Sequence, residues 1–278
     1  MNLFSTKGWE DYELIDSGNG MRLERYGKYV ISRPDPQAIW KPSFPHEWEN
    51  STAVFANDKW EKQHNFPEKW ELGYKGLKFY ARLTPFKHTG IFPEQSLNWD
   101  FIEEKIVKTH NQPKVLNLFA YTGIASLVAA KNGALVTHLD ASKPSIAWAK
   151  ENQGLSGLSE KPIRYILDDA LAFTAREIRR GNVYDAIIMD PPVYGHGPNS
   201  EVWDFEESFP LLLQNCSRLL SKSPLFVLAN AYAVSASSLM LNNLFEDYFG
   251  NRNIEYGELC LSQRNGRLLS TGIFARFS

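Results

Sequence analysis

The 278-residue sequence is poor in cysteine. Its two, Cys216 and Cys260, stand far apart with no Cys/His spacing around them, so neither a disulfide framework nor a zinc site is encoded and an intracellular protein is expected. A charge excess of one sign is also absent. Lys+Arg 30 against Asp+Glu 32 leaves a formal net charge of -2, which excludes the whole-chain basic field of a non-specific binder of nucleic acid or anionic membrane. No apolar stretch approaches the roughly 18 residues that span a bilayer, and the run from Met1 to Trp9 holds no apolar core of signal-peptide length. A soluble, cytoplasmic protein is therefore expected. Two phosphate-cradling patterns, G-x-G-x-x-G and G-x-x-x-x-G-K-[ST], are missing, which weakens pyrophosphate and triphosphate readings.

What is present divides near residue 100. Six of the eight tryptophans (Trp9, Trp40, Trp48, Trp60, Trp70, Trp99) precede it. Tyr12 to Ile15 and Met21 to Ile31 read as strands around the turn cluster Asp16-Ser17-Gly18-Asn19-Gly20, and Trp70–Tyr74 with Leu77–Leu83 repeat the pattern around Lys75-Gly76. Arg33-Pro34-Asp35-Pro36 and Lys41 to Pro45 read as loops. A small β-rich subdomain over 1–97 is expected. Beyond it, short apolar strands alternate with helical patterns, as in βαβ units. Strands are read at Val115–Phe119, Leu135–Leu139, Ile163–Leu167, Ala186–Met189, Leu225–Ala229, Ile254–Leu261 and Leu268–Arg276, and helices at 123–132, 143–153, 170–180, 203–220 and 236–249. The last two strands follow one another without a helix, so the expected fold over 98–278 is α/β: a Rossmann-like, doubly wound sheet that ends in an antiparallel hairpin.

In such a sheet ligands bind at the carboxyl ends of the strands. The first strand ends in Asn117-Leu118-Phe119-Ala120-Tyr121-Thr122-Gly123, the second in Asp140, the third in Asp168-Asp169-Ala170 and the fourth in Asp190-Pro191-Pro192-Val193-Tyr194-Gly195. A carboxylate after the second strand can accept from both hydroxyls of a ribose diol, although an acid at Asp140 or Asp169 also serves as a helix cap. Two prolines after a buried strand remove two donors and stiffen the chain around Asp190.

In that order the strand ends resemble those of a class I S-adenosylmethionine-dependent methyltransferase. More narrowly, His88-Thr89-Gly90-Ile91-Phe92-Pro93-Glu94-Gln95 and Asn117 to Gly123 are similar to the K-T-G-F-F-x-D-Q and L-N-L-F-x-Y-T-G segments of bacterial large-subunit ribosomal RNA methyltransferases of the I/K-L type. The resemblance covers roughly 75–278. It implies S-adenosylmethionine as cofactor, with Phe92 and Gln95 beside it, Asn117, Phe119, Tyr121, Thr122 and Gly123 around its methionine portion, Asp140 on its ribose, and Asp169, with Asp168 as the alternative, near its adenine amine beside Ala170. It implies ribosomal RNA as partner. Three departures stand out: an amino end too short for the separate RNA-binding domain of many relatives, Glu94 in place of Asp, and Ala229-Asn230-Ala231 where some relatives have Ser-Cys-Ser.

Methylation at cytosine C5 needs a thiolate, and Val193 and the 229–232 segment supply none. Cys216 has leucines at helical spacing and Cys260 lies in a strand-like run, so both read as core. An exocyclic amine is the favoured acceptor, with Asp190 and the Pro191 carbonyl taking its hydrogens, Pro192 stiffening the turn and Tyr194 offering a stacking face. The glycine-containing loop 195–200 could close over substrate. The segment from Lys59 to Arg82 interleaves aromatics and cations as an RNA-contacting surface would, or as a β subdomain with snorkelling lysines would. Arg176, Arg179 and Arg180 suit a helix carboxyl end. A small-molecule or protein methyltransferase, or a non-catalytic S-adenosylmethionine/RNA-binding module, is the alternative.

Overall fold

A computed structural model describes residues 2–6, 8–250 and 252–278. The chain divides into two compact units, one of residues 4–97 with 259–271, the other of residues 1–3, 98–258 and 272–278. After the short β1 (Leu3–Ser5), the first unit holds β2 (Tyr12–Gly18), β3 (Met21–Tyr26), β4 (Tyr29–Pro34), β5 (Ala53–Ala56) and β6 (Lys59–Lys62) in one sheet in chain order, and β7 (Trp70–Tyr74) with β8 (Leu77–Ala81) in a two-stranded ribbon. Two sequence expectations fail here. Met21–Ile31 is two strands, because Gly27 at φ 62° makes a turn inside it. The apparent turn residues Asp16 to Gly18 continue β2 past a bulge between Leu14 and Asp16. Asp16 is fully buried and accepts from the amides of Ser17, Ser43 and Phe44, from Trp48 Nε1 and from Gln263 Nε2.

Arg33 and Pro34 end β4 instead of lying in a loop. Arg33 is among the largest fully buried side chains, and it is tolerable there because Glu24, also fully buried, takes its Nε at 2.6 Å and Nη2 at 3.1 Å and also accepts from the hydroxyls of Tyr12 and Tyr26.

The second unit contains α1 (Ser96–Val107), β9 (Lys114–Leu118), α2 (Ile124–Lys131), β10 (Leu135–Asp140), α3 (Lys143–Leu155), β11 (Ile163–Leu167), α4 (Ala170–Arg179), β12 (Ala186–Met189), β13 (Tyr194–His196), β14 (Val202–Asp204), α5 (Phe205–Leu219), β15 (Phe226–Ala231) and α6 (Ser238–Phe249), while β16 (Glu255–Ser262) and β17 (Leu268–Phe277) are divided between the two units. The sheet order is β1-β16-β17-β15-β12-β9-β10-β11. β15, β12, β9, β10 and β11 run parallel, and β17 runs antiparallel to β15. β12 and β15 are buried throughout, as parallel strands covered on both faces must be. This is the expected doubly wound sheet, with strand bounds within two residues of those read from the sequence. Helix α1 escaped that reading. Trp203 proves to be a strand residue, since Asp204 caps α5 by accepting from the amides of Glu206 and Glu207. Among the described residues, no helix is long and apolar enough to cross a membrane.

Candidate active site

Strand register brings four carboxyl ends level. Leu118 pairs with Leu139 on one side and Met189 on the other, Asp140 pairs with Leu167, and Met189 with Ala229. Phe119, Asp140, Asp168 and Asp190 follow at one rim of the sheet. Chain order reverses between β9 and β12, where a crevice forms in open α/β sheets.

The turn from β9 into α2 is tightly determined. Phe119 and Tyr121 hold positive φ values of 55° and 46°, conformations that cost a non-glycine residue about 1 kcal/mol or more. They are retained because the Ala120 amide donates to the Leu139 carbonyl, the Gly123 amide to the Ala120 carbonyl, and the Tyr121 amide to Asp140 Oδ2 at 2.8 Å. Asn152, fully buried on α3, donates to the Thr122 carbonyl at 2.9 Å. Gly123 has φ 84°, and a Cβ there would lie 2.8 Å from that of Ala149. The Asn117 side chain is buried and donates to Ser126 Oγ at 2.9 Å.

Asp140 is aimed by two amides, Tyr121 onto Oδ2 and Ser142 onto Oδ1, both at 2.8 Å. Burial raises its pKa above the ordinary aspartate range despite these bonds. Burial, with the Asp140 charge adding, pushes the Tyr121 phenol up to about 12. Asp168 and Asp169 are now distinguishable. Asp168 accepts from the Asp169 amide through Oδ1 and pairs with Arg176 through Oδ2. Asp169 caps α4 by accepting from the Ala172 amide through Oδ1. Arg176 and Arg180 lie at the carboxyl end of α4 as expected, and each is also ion-paired, Arg176 with Asp168 and Arg180 with Glu177. Ala170 is buried in the hydrophobic core beneath this turn.

On the other side of β9, the Asp190 amide lies 3.4 Å from the Leu118 carbonyl. Pro191 is buried and Pro192 exposed. Trp203 donates from Nε1 to the Pro192 carbonyl at 2.7 Å while its ring meets that of Phe119 edge-on at 4.7 Å, so it ties the two strand-end turns together. Of the expected loop 195–200, Gly195 and His196 lie in β13 and 197–200 form the connection to β14, with Tyr194 opposite Asp204 and His196 opposite Val202. Tyr194 is 58% exposed, its ring edge-on to His196 at 5.4 Å.

The turn residues, Asp140, Asp168, Asp169, Asp190 and Tyr194 thus share one unit. Phe92 and Gln95 belong to the other, where the Phe92 ring lies 5.3 Å from His88 and its carbonyl accepts the Gln95 amide. In β7 and β8, Trp70, Leu72, Tyr74, Leu77 and Phe79 are buried while Glu71 and Lys78 are exposed. The interleaving of aromatics and cations there is the period-two alternation of a half-buried ribbon. Cys216 is buried in the core 3.7 Å from Met189 Sδ, and Cys260 is buried in the other unit.

Sequence reading missed Trp203 and Asn152. Asn152 carried a signal, since it falls on the buried stripe of α3 with Ser145, Ile146, Trp148 and Ala149, where a polar side chain needs a partner.

The comparisons bear on the family and the fold. A family model described as S-adenosylmethionine-dependent methyltransferase matches residues 56–242. The crystal structure of an S-adenosylmethionine-dependent methyltransferase from Agrobacterium tumefaciens is 41% identical, with a TM-score of 0.97 over 100% of this chain and 93% of that one. SMU.776 complexed with SAH shares the fold, at TM-score 0.74 and 20% identity over 96% of this chain and 75% of that one. Ribosomal RNA large subunit methyltransferase K/L from Shewanella baltica is 36% identical over 158 residues, and that from Pseudoalteromonas atlantica 32% over 164, which is 56% and 58% of this chain. The chain spans only 21% and 22% of their lengths.

Proposed function

The chain belongs to the S-adenosylmethionine-dependent methyltransferase family, and from that premise we propose that it methylates a base of ribosomal RNA, at an exocyclic nitrogen in preference to cytosine C5. The observation that carries this reading is the level set of strand ends, with Asp140 aimed by two amides on one side of the Phe119–Gly123 turn and Asp190-Pro191-Pro192 on the other.

The residues fit the cofactor chemically. Each Asp140 oxygen holds one amide and keeps further acceptor capacity for a ribose hydroxyl. Asp169 uses only Oδ1 in its cap, which favours it over Asp168 as acceptor for the adenine amine. The turn around Tyr121, Thr122 and Gly123 holds the methionine portion. The rim's aspartates suit a cation. When bound, S-adenosylmethionine supplies an electrophilic methyl group on its sulfonium.

The chain's task is then alignment. Trp203 occupies the Pro192 carbonyl, so the acceptor amine is held by Asp190 and the Pro191 carbonyl, while exposed Tyr194 stacks on the flipped base. Burial raises the Cys216 thiol far above its ordinary pKa, which supports a nitrogen acceptor. The RNA substrate is proposed from the Shewanella and Pseudoalteromonas relatives, and a cytoplasmic location goes with it; a domain cut between 97 and 98 is proposed as well, with 259–271 packed into the first unit.

Ribosomal RNA from a deletion strain, incubated with the protein and labelled S-adenosylmethionine, tests the reading. Label in one nucleotide, identified by mass spectrometry as an N-methylated base, is expected. Transfer only to protein or small molecules would overturn the RNA reading, and a covalent adduct with 5-fluorocytosine RNA abolished by Cys216→Ala or Cys260→Ala would restore C5 chemistry.

A further inference from the structure

Beneath the Phe119–Gly123 turn lies a buried polar chain of which the sequence reading singled out only Asn117. Asn117 on β9 and His138 on β10 are register partners, so their side chains emerge from the same face. Ser126, from the first turn of α2, stands between them. Asn117 Nδ2 donates to Ser126 Oγ at 2.9 Å, and Ser126 Oγ lies 3.0 Å from His138 Nδ1. A hydroxyl has one hydrogen. Its oxygen has two lone pairs, so Ser126 accepts from Asn117 and still bonds Nδ1, in the direction that the imidazole tautomer sets. All three residues are at most 2% exposed, and His138 Nε2 is buried with no hydrogen-bond partner, its ring tilted against Tyr165 at 4.8 Å. A cluster formed only for stability would not orphan a buried ring nitrogen. The imidazole also floors the turn: a Cβ at Gly123 would stand 3.3 Å from His138 Cε1.

We propose that His138 is a positioning residue for cofactor binding, acting through Ser126 and Asn117 to hold the left-handed Phe119–Tyr121–Gly123 turn in the shape that offers the Tyr121 amide to Asp140. The inference rests on the reading that this turn and Asp140 hold S-adenosylmethionine. Its effect belongs to binding and not to transfer, because Asp190 follows β12, on the far side of β9.

The test compares His138→Leu, which cannot hydrogen-bond Ser126, with His138→Asn, whose side-chain amide can take the place of Nδ1. Ser126→Ala removes the middle of the chain. Titration calorimetry with S-adenosylmethionine, methyl-transfer kinetics and thermal melting are read together. Loss of one buried hydrogen bond should weaken cofactor affinity roughly tenfold in His138→Leu and Ser126→Ala and raise KM in parallel, with kcat within about twofold, while His138→Asn recovers most of the affinity. Equal affinities in wild type, His138→Leu and Ser126→Ala would overturn the inference, as would equal losses in His138→Leu and His138→Asn. If His138→Leu does not fold, Ser126→Ala alone decides it. Asp140→Ala separates the two levels: if it leaves affinity unchanged, the cofactor reading fails, and if it weakens binding where Ser126→Ala does not, only this inference fails.

Discussion

Replacing Asp140 tests the cofactor reading most directly, because its carboxylate is the hinge between turn and ligand. Asp140→Ala removes an acceptor from two amides held at 2.8 Å and a charged acceptor from the ribose. Losing charge-assisted bonds to the ligand should weaken S-adenosylmethionine binding by about 1.5–3 kcal/mol, roughly tenfold to a hundredfold. The fold suffers less. The abandoned amides of Tyr121 and Ser142 are only partly buried, and burial already disfavours the ionised carboxyl, so removing the charge offsets part of the loss. A loss of about 1–2 kcal/mol, a few degrees in Tm, is expected. Asp140→Asn is not a benign control, since an amide offers one oxygen to two donors and turns its NH2 toward the other. It should bind between Ala and wild type. Calorimetry at pH 7.5, with melting curves as the folding check, reads both effects. Unchanged affinity in a folded Asp140→Ala protein would refute the ribose assignment, and an unchanged KM with a lowered kcat would move Asp140 into the transfer step.

Three further outcomes follow from buried groups. Glu24→Gln leaves Arg33 without its carboxylate and Arg22 with Asp35 at 3.7 Å in the first unit, where Glu24 is held down to a pKa of about 2 by those guanidinium groups against its burial, and it should destabilise that unit by about 3–5 kcal/mol, seen as early loss of near-ultraviolet circular dichroism from its tryptophans. Burial lowers His138 to about 3 from 6.5, so the folded state refuses a proton that the unfolded chain accepts; the contribution is complete above pH 6.5 and shrinks as pH falls toward 3. At pH 5 that is about 2 kcal/mol lost, and His138→Asn should lose correspondingly less than wild type between pH 7 and 5 in urea titrations, with equal losses counting against a neutral buried imidazole. Cys216→Ala should keep methyl transfer and lose only stability, about 1–2 kcal/mol by thermal melting, because the thiol is a packed core group against Met189.

The rim of the second unit was legible because its signals are local. Runs such as Ala186–Met189 are buried on both faces and end at turn formers, so their carboxyl ends could be found without knowing the strand order. What was not legible depended on partners distant in sequence. Asp16 reads as a turn residue beside two glycines, yet its acceptors are filled from Ser43, Phe44, Trp48 and Gln263, the last 247 positions away. Arg33 before a proline reads as loop for the same reason. Helix α1 lay across the composition boundary used to divide the chain, and its buried face, Trp99, Ile102 and Ile106, is a narrow stripe among acids.

Asn117 shows how pairing changes the meaning of a residue already singled out. By resemblance it belongs among the cofactor contacts, but on a strand buried on both faces parity decides which layer a side chain enters. Its side chain goes toward α2, where the register meets it with His138. Neither polar residue explains itself in sequence: 117, 126 and 138 share no helical or strand period. Adjacent buried strands that each carry one polar residue at the same level nevertheless leave few ways to satisfy both, and the small hydroxyl of Ser126 supplies one. Asn117 would then serve the cofactor through the turn it anchors instead of by touching it, which is why Asn117→Ala and Ser126→Ala should weaken binding by similar factors and add little when combined.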